Sequence, residues 1–379
     1  MRVLMQNRVD AFKNMGGDTI QMLKTKEELE KIGVKVDISL ELEPDLTNYD
    51  LVHLFNITRI HETWMQFKNA KRQGKNVVLS TIHHKKSEIE EYEKEALIGK
   101  AKIIKEIFSS EQTIQLVKTL FYTIQSKSSF IPFLKQLKVG FINQQKEVLN
   151  GVDILLPNSN MEMDAIVNDF NLNSENLKYS IIPNGVEFDD TGINTGENKF
   201  VSKFGINDFV FCAGRIEPRK NQLNVINSLK DTGLKVVFAG AINKKHKKYH
   251  KMFMSEIENN KNFYYVGLLD REMMFEAYRA AKVSILASWF ETTGLIGLEA
   301  AMGECNVVIT QKGYTKEYYG THAFYCSPND KQSIKESTLK AFHSKFEYEL
   351  KENVIKKFTW EKAAIKTKNQ YIKISNIEE

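Results

Sequence analysis

Glu291 and Glu299 stand eight residues apart in WFETTGLIGLEA (Trp289–Ala300), where a strand-like run, AKVSILASWF, gives way to a helical one. The run reads as a buried strand ending at Phe290, with a helix starting near Thr292 to Gly294. Such a helix start aims free backbone amides and the positive end of its dipole at an anion. Upstream, in VFCAGRIEPRKNQ, another strand-like run reaches Gly214; Arg215 follows it, and Lys220 comes five residues later as a helix begins. A guanidinium grips two oxygens at once and an ammonium is a point charge, a pairing that suits a diphosphate. Carboxylates beside phosphate would repel it, so the two glutamates should face hydroxyls. Glu291 would accept from a sugar ring and Glu299 from a second polyol such as a ribose. Phosphates held by cations and amides, flanked by acids on two sets of hydroxyls, form the anatomy of a nucleotide-sugar site. Taken singly, each piece also reads as ordinary structure: a helix-start charge with one mid-helix glutamate, or surface cations in a loop. The loop reading suits Arg219 better than Arg215, which sits close to the end of an apolar strand.

A second phosphate-facing turn lies near the N-terminus. There the strand-like RVLMQ is followed by NMGGDT, and the pair Gly16–Gly17 before a helix lets backbone amides approach an anion. On its own a Gly-Gly turn is more often only a turn. The dinucleotide fingerprint GxGxxG is absent, which disfavours a nicotinamide dehydrogenase.

The elements that must position these residues alternate along the chain. RVLMQ, VKVDISL, LVHLFN, NVVLSTIHH, VDILLPNS, YSIIPNG, VFCAGRI, KVVFAGA, NFYYVGLL, KVSILASWF and NVVIT read as strands, with helical patterns such as TIQMLKTKEELEKI between them. Branched apolar runs without clean alternation fit parallel strands covered on both faces. Alternating β and α of this length means doubly wound α/β sheets, and about eleven strands are too many for one. The 379 residues suffice for two domains, and the polar VEFDDTGINTGENKF (Val186–Phe200) makes a natural linker. The expected division is 1–187 and 188–359. With 53 basic against 48 acidic side chains the net charge is only +5, too weak for nucleic-acid binding. Cys212, Cys305 and Cys326 lack metal spacing and read as reduced core thiols. MRVLMQN enters a strand directly with no signal-peptide pattern, and no apolar run approaches a membrane span, so the chain is expected to be cytoplasmic or peripheral.

One region departs from this rhythm. Between Lys100 and Lys146 there are eight lysines against two glutamates, mixed with IIKEIF, LVKTLFYTI and FIPFLKQLKVGF. It reads as amphipathic helices with a solvated basic face, or as a surface for an anionic bilayer or a lipid-linked acceptor.

In order along the chain, NMGGDT, STIHH, YSIIPNGVE, AGRIEPRKNQ, FYYVGLL and FETTGLIGLEA resemble the retaining glycosyltransferases of family 4. The resemblance covers nearly the whole chain and is weakest from about Glu88 to Asn150. It implies the GT-B fold, two Rossmann-like doubly wound parallel-sheet domains facing a central cleft, with residues 360–379 packing back on the N-terminal domain. It implies that Arg215 and Lys220 bind the donor diphosphate, that Glu299 holds the ribose, and that Glu291 contacts the donor sugar. The amides of Thr293, Gly294 and Leu295 would lie near sugar and phosphate. Gly16 and Gly17 would reach the phosphate, His83 would lie beside the reacting sugar, Asn184 and Gly185 would sit near the hinge, and Gly267 and Leu268 would meet the base. Two positions depart from the family pattern. Thr292 stands where Gly is common, adding a side chain near the donor sugar, and His84 stands where an Asp is usual.

The implied reaction transfers a hexosyl-type group from a nucleoside-diphosphate sugar to a hydroxyl acceptor with retained configuration, by front-face substitution and without a metal or other cofactor. The acceptor suggested by the basic apolar segment is a cell-envelope glycan or lipid-linked intermediate. The competing readings are a same-fold nucleotide-sugar epimerase or hydrolase and a non-catalytic nucleotide-binding module.

Overall fold

Strands rich in Val, Ile, Leu and Phe need cover on both faces, and the chain builds such a sheet twice. The computed structural model describes residues 1–97, 119, 130–187 and 197–375. In chain order come β1 (Arg2–Gln6), α1 (Gly17–Lys31), β2 (Lys35–Ser39), β3 (Leu51–Phe55), α2 (Ile60–Arg72), β4 (Asn76–Ser80) and α3 (Lys86–Glu95). These are followed by α4 (Phe130–Val139), α5 (Phe141–Gly151), β5 (Ile154–Leu155) and α6 (Asn160–Phe170). The first sheet has the order β2-β1-β3-β4-β5, every pair parallel.

The second half supplies α7 (Lys199–Phe204), β6 (Phe209–Ala213), α8 (Gln222–Leu229), β7 (Val236–Ala239), α9 (Lys247–Glu258), β8 (Phe263–Tyr265) and α10 (Arg271–Ala280). It continues with β9 (Ala281–Leu286), α11 (Leu295–Met302), β10 (Asn306–Thr310), α12 (Thr315–Tyr319), β11 (Phe324–Cys326), α13 (Lys331–His343) and α14 (Glu349–Lys357). The sheet order is β11-β10-β9-β6-β7-β8, again all parallel. A final helix, α15 (Trp360–Ser375), is part of the first unit, which comprises Met1–Lys85, Ile103–Gly185 and Trp360–Glu379; the second comprises Lys86–Lys102 and Val186–Thr359. A boundary at 187/188 would leave α3 in the first domain. The structure corrects this, because α3 finds its side-chain partners in the second unit. Most of the linker, 188–196, and most of 100–146 lie outside the described residues.

Packing follows the two-residue period of the strands. Along β6, Phe209, Phe211 and Ala213 enter one core and Val210 and Cys212 enter another, so both faces of the second sheet are buried. In the first unit Leu4, Val52, Leu54, Val77 and Leu79 form one face against α2 and α5 residues such as Trp64 and Val148. All three cysteines are free and buried. Helix starts are capped by side-chain acceptors where the sequence offers them: Ser159 Oγ takes the Glu162 amide at 3.0 Å and Asp270 Oδ1 the Met273 amide at 2.8 Å. Among the described residues no helix is long and apolar enough to cross a membrane.

Three strand expectations change. YSIIPNG forms only a single bridge, Tyr179 to Leu155, and its Pro183 has no N–H to extend a ladder. The run AKVSILASWF leaves the sheet at Leu286 rather than Phe290. Beyond it, Ala287 O accepts from Asn221 Nδ2 at 2.9 Å and the Trp289 amide donates to Arg219 O at 2.9 Å, so the loop following β6 takes over its backbone. The short edge strand β11 has too little apolar sequence to signal itself.

The other face of β3 carries His53, buried against α15. Its Nδ1 lies 2.6 Å from Tyr371 Oη and its Nε2 3.0 Å from Ser80 Oγ. Burial pulls its pKa from 6.5 to about 3, which keeps the ring neutral. Tyr371→Phe removes one of these partners and is expected to cost about 1–3 kcal/mol in urea denaturation. The His53 contribution is present above pH 6.5 and is lost as pH falls toward 3, because only the unfolded ring takes up the proton over that window.

Candidate functional site

In an open parallel sheet, ligands gather at the carboxyl ends of the strands where the winding direction reverses. In the second sheet that point lies between β6 and β9, because β7 and β8 extend one way from β6 and β10 and β11 the other way from β9. The two loops that leave it are Gly214–Asn221 and Ala287–Gly294. These hold Arg215, Lys220 and Glu291, so the topology gathers residues that the sequence separates by some seventy positions.

The β6 loop tightens into a short 3-10 turn, Pro218–Lys220, closed by Asn221 in the left-handed region at φ 63°. The Asn221 amide group spans two carbonyls, Ala287 O at 2.9 Å and Pro328 O at 2.7 Å. This fixes Lys220, whose Nζ donates to Glu291 Oε1 at 2.6 Å. Arg219 joins them: it donates to Phe290 O at 3.0 Å, reaches Glu291 Oε1 at 3.5 Å, and lies 5.6 Å from the centre of the Phe290 ring. Burial by itself would raise the Glu291 pKa, but Lys220 and Arg219 overcome it and hold the carboxyl at about 2. Glu291 is therefore an anion throughout the physiological range. Arg215 turns outward, its side chain 47% exposed, with one guanidinium nitrogen 3.2 Å from Glu217 Oε1. Glu217, buried, also accepts from Asn243 Nδ2 at 2.8 Å, and Arg215 and Arg219 keep its carboxyl below the usual range against the pull of burial. Three cations thus meet two carboxylates, and Arg215 is the cation most open to an incoming anion.

Helix α11 begins at Leu295 and not at Thr292, with Gly294 as its N-cap in the left-handed region at φ 73°. A β-carbon at Gly294 would come within 2.8 Å of Ile309 Cδ1, and the Gly294 carbonyl accepts from Tyr319 Oη at 2.5 Å. Thr293 and Gly294 are buried and Leu295 is half-buried. Glu299 is half-buried in the middle of α11; Tyr278 Oη donates to its Oε2 at 3.3 Å, and burial raises its pKa to about 7. Gly267, after β8, accepts the Gly240 amide at 2.7 Å and so borders the same sheet end, while Leu268 beside it is 76% exposed.

The remaining expected residues belong to the first unit, where the winding reverses between β1 and β3. Gly16 caps α1 and Gly17 opens it. The helix start is served by an internal carboxylate: Asp18, in its first turn, is 2.8 Å from Arg8 Nε and accepts from Asn56 Nδ2 at 3.3 Å. Arg8 further bonds Asp10 at 2.7 Å. His83 follows β4, its Nε2 2.7 Å from Asp169 Oδ2 and its amide on Glu162 Oε1 at 2.8 Å. This pairing orients the His83 ring and leaves His84 half-buried beside it. Asn184 is buried at the end of the first unit, next to Gly185.

Two parallel, doubly wound sheets in these orders give the chain the GT-B fold. Residues 195–358 match the family model described as "Glycosyl transferases group 1". The structure is similar to that of sucrose-phosphate synthase from Thermosynechococcus elongatus, with 13% identity, a TM-score of 0.70 and coverage of 99% of both chains. It is also similar to Anabaena HepE in complex with UDP-glucose, at 14% identity and a TM-score of 0.68 over 98% of this chain and 99% of that one. A third similar structure is the UDP-forming alpha,alpha-trehalose-phosphate synthase of Burkholderia xenovorans in complex with glucose-6-phosphate, at 10% identity and a TM-score of 0.65 over 98% and 99%. No curated protein matches the chain in sequence.

Sequence reasoning missed three residues of this site. Arg219 reads as a loop cation but clamps Phe290 and Glu291; Glu217 ties Arg215 to Asn243; Tyr278 serves Glu299 from α10. Only the clustering of charge in GRIEPRK hinted at the first two. The raised pKa of Glu299 yields a test that needs no ligand. Its protonated form is the one that folding favours, so its contribution is complete below pH 4.5 and is lost as pH rises to about 7. Melting temperature measured from pH 5 to 8 should show a decline in the wild type that Glu299→Gln lacks; superimposable curves would remove this role for burial.

Proposed function

We propose that the chain is a retaining glycosyltransferase that moves a hexosyl-type group from a nucleoside-diphosphate sugar to a hydroxyl acceptor. The observation that carries this reading is the meeting of Arg219 and Lys220 with Glu291 at the winding reversal of the second sheet, with the more open Arg215 beside them on Glu217. The match of residues 195–358 to the group 1 glycosyl transferases supports it. So do similar structures solved in complex with UDP and with UDP-glucose.

In this reading Arg215 and Lys220 take the donor diphosphate, and the amides of Thr293, Gly294 and Leu295 lie near sugar and phosphate. Glu291, an anion far below neutral pH, accepts hydrogen bonds from hydroxyls of the donor sugar, while Glu299 holds the ribose. Gly267 and Leu268 border the base through their backbone. His83, Gly16, Gly17, Asn184 and Gly185 keep the roles that the family resemblance gives them. Retaining hydrolases use a second carboxylate as nucleophile; Glu291 is committed to Lys220 and Arg219 and is poorly suited to that part. The bond from anomeric carbon to phosphate oxygen breaks, the bond to the acceptor oxygen forms on the same face, and the acceptor's proton passes to the departing phosphate oxygen. Arg215 and Lys220 stabilise the charge that grows on the diphosphate, the work a metal would do elsewhere, and no metal is assigned.

Cell-envelope glycan or glycolipid synthesis at the inner face of a membrane completes the proposal. It is supported by α4, where Ile131, Leu134 and Leu137 are 59%, 48% and 53% exposed at a spacing of three, interleaved with Lys135 and Lys138. Flotation with anionic vesicles should carry the protein upward, and Leu134→Asp should weaken this; protein that stays wholly in the soluble fraction excludes the membrane part.

The central test is Lys220→Ala, for which turnover is expected to fall by roughly two to three orders of magnitude, the scale of a lost oxyanion donor. Near-normal transfer would overturn the assignment. Release of free sugar or of an isomer without any acceptor would favour the hydrolase or epimerase reading instead.

A further inference from the structure

Helix α3, KSEIEEYEKE, carries five glutamates and lies in the part of the chain least like the family. It follows β4 of the first unit in sequence, yet its partners are in the second. Glu88, Glu91 and Tyr92 are spaced i, i+3, i+4 and so share one face. Glu88 Oε1 accepts the Gly313 amide at 2.9 Å, Glu91 Oε2 is 2.7 Å from Lys312 Nζ, and Glu91 Oε1 is 3.4 Å from Asn329 Nδ2. The Tyr92 ring packs on Trp289, at 6.2 Å between centres, and edge-on to Phe290 at 5.9 Å.

Both sets of contacts converge on Glu291. The loop after β10 is bridged to it on either side: the Glu291 amide donates to Lys312 O at 3.4 Å, and the Tyr314 amide donates to Glu291 O at 3.0 Å. Between them Gly313 has φ 85°, and a β-carbon there would stand 1.8 Å from Glu291 O, so loop and glutamate backbone touch directly. Trp289 and Phe290, under the Tyr92 ring, are the two residues leading into Glu291. The face of α3 therefore holds the loop that holds Glu291 and also covers the segment that delivers it. The Glu91–Lys312 pair is partly exposed and screened; the charged acceptor on the Gly313 amide and the buried aromatic contact contribute more.

We propose that Glu88, Glu91 and Tyr92 are positioning residues for Glu291, with α3 acting as a strap that sets where this carboxylate stands relative to Lys220 and Arg219. The proposal rests on the reading of Glu291 as a donor-sugar residue, and its test separates the two. No residue of α3 is fully buried, so substitutions on it leave the two cores intact. The test compares the wild type, Glu88→Ala/Glu91→Ala and the conservative Glu88→Gln/Glu91→Gln, which keeps an acceptor oxygen at each position. Amide hydrogen exchange in peptides covering Trp289–Glu291 and Lys312–Tyr314 should quicken about tenfold in the alanine variant and stay near wild type in the glutamine variant, with β6 unchanged in both. In sugar transfer, kcat should fall about tenfold for the alanine variant with a smaller change in KM for the donor, and the glutamine variant should recover most of it. Unchanged exchange in the alanine variant overturns the strap, whatever the substrate. Quicker exchange with unaltered kcat overturns the link from α3 to catalysis, whereas an active Lys220→Ala would overturn the transferase reading itself.

Discussion

The Lys220–Glu291 ion pair is the constraint around which the second unit is arranged. Both groups are largely removed from water, and a buried charge without its partner is costly. Satisfying the pair demands that the loops after β6 and β9 emerge side by side, which only the reversal of winding between those strands provides. The fixed backbone of Asn221, the Arg219 clamp on Phe290, and the tight Gly313 contact all serve to bring one ammonium and one carboxylate to a set separation.

The pair also divides labour among the acids. Glu291 and Glu299 belong to one motif, yet their surroundings drive their proton affinities apart: two cations hold the first ionised, while the second has a tyrosine hydroxyl and little else against burial. One is a permanent anion; the other is poised near neutrality, where it can accept or donate according to what it meets.

Much of this was legible in the sequence, for identifiable reasons. Runs rich in branched apolar residues marked ten of the strands, β1 to β10, because parallel strands covered on both faces leave little room for polar alternation. The spacing of Arg215 to Lys220 and of Glu291 to Glu299 was readable because each pair lies within one strand–loop–helix passage. What the sequence withheld was long-range. Nothing in GRIEPRK or WFETTGL states that β6 and β9 are neighbours, so the contact of Lys220 with Glu291 and the part played by Arg219 could not be read from either segment. The early end of β9 had the same cause: residues Ala287–Phe290 are apolar enough to extend a strand, but the neighbouring loop claims their backbone groups. Helix α3 is the sharpest case, since no motif marks it and its partners lie more than two hundred positions away.

The docking of α15 on the first unit has a consequence for how the chain is made. His53 and Tyr371 are 318 positions apart, with the whole of Val186–Thr359 between them. At a ribosome's pace of about 5–20 residues per second, the first sheet emerges roughly ten to forty seconds before the helix that covers one of its faces. Until then that face, with its buried histidine, remains open to solvent or to a chaperone, while the second unit has every segment of its sheet in hand before α15 appears. The half of the molecule translated first is thus the half that matures last.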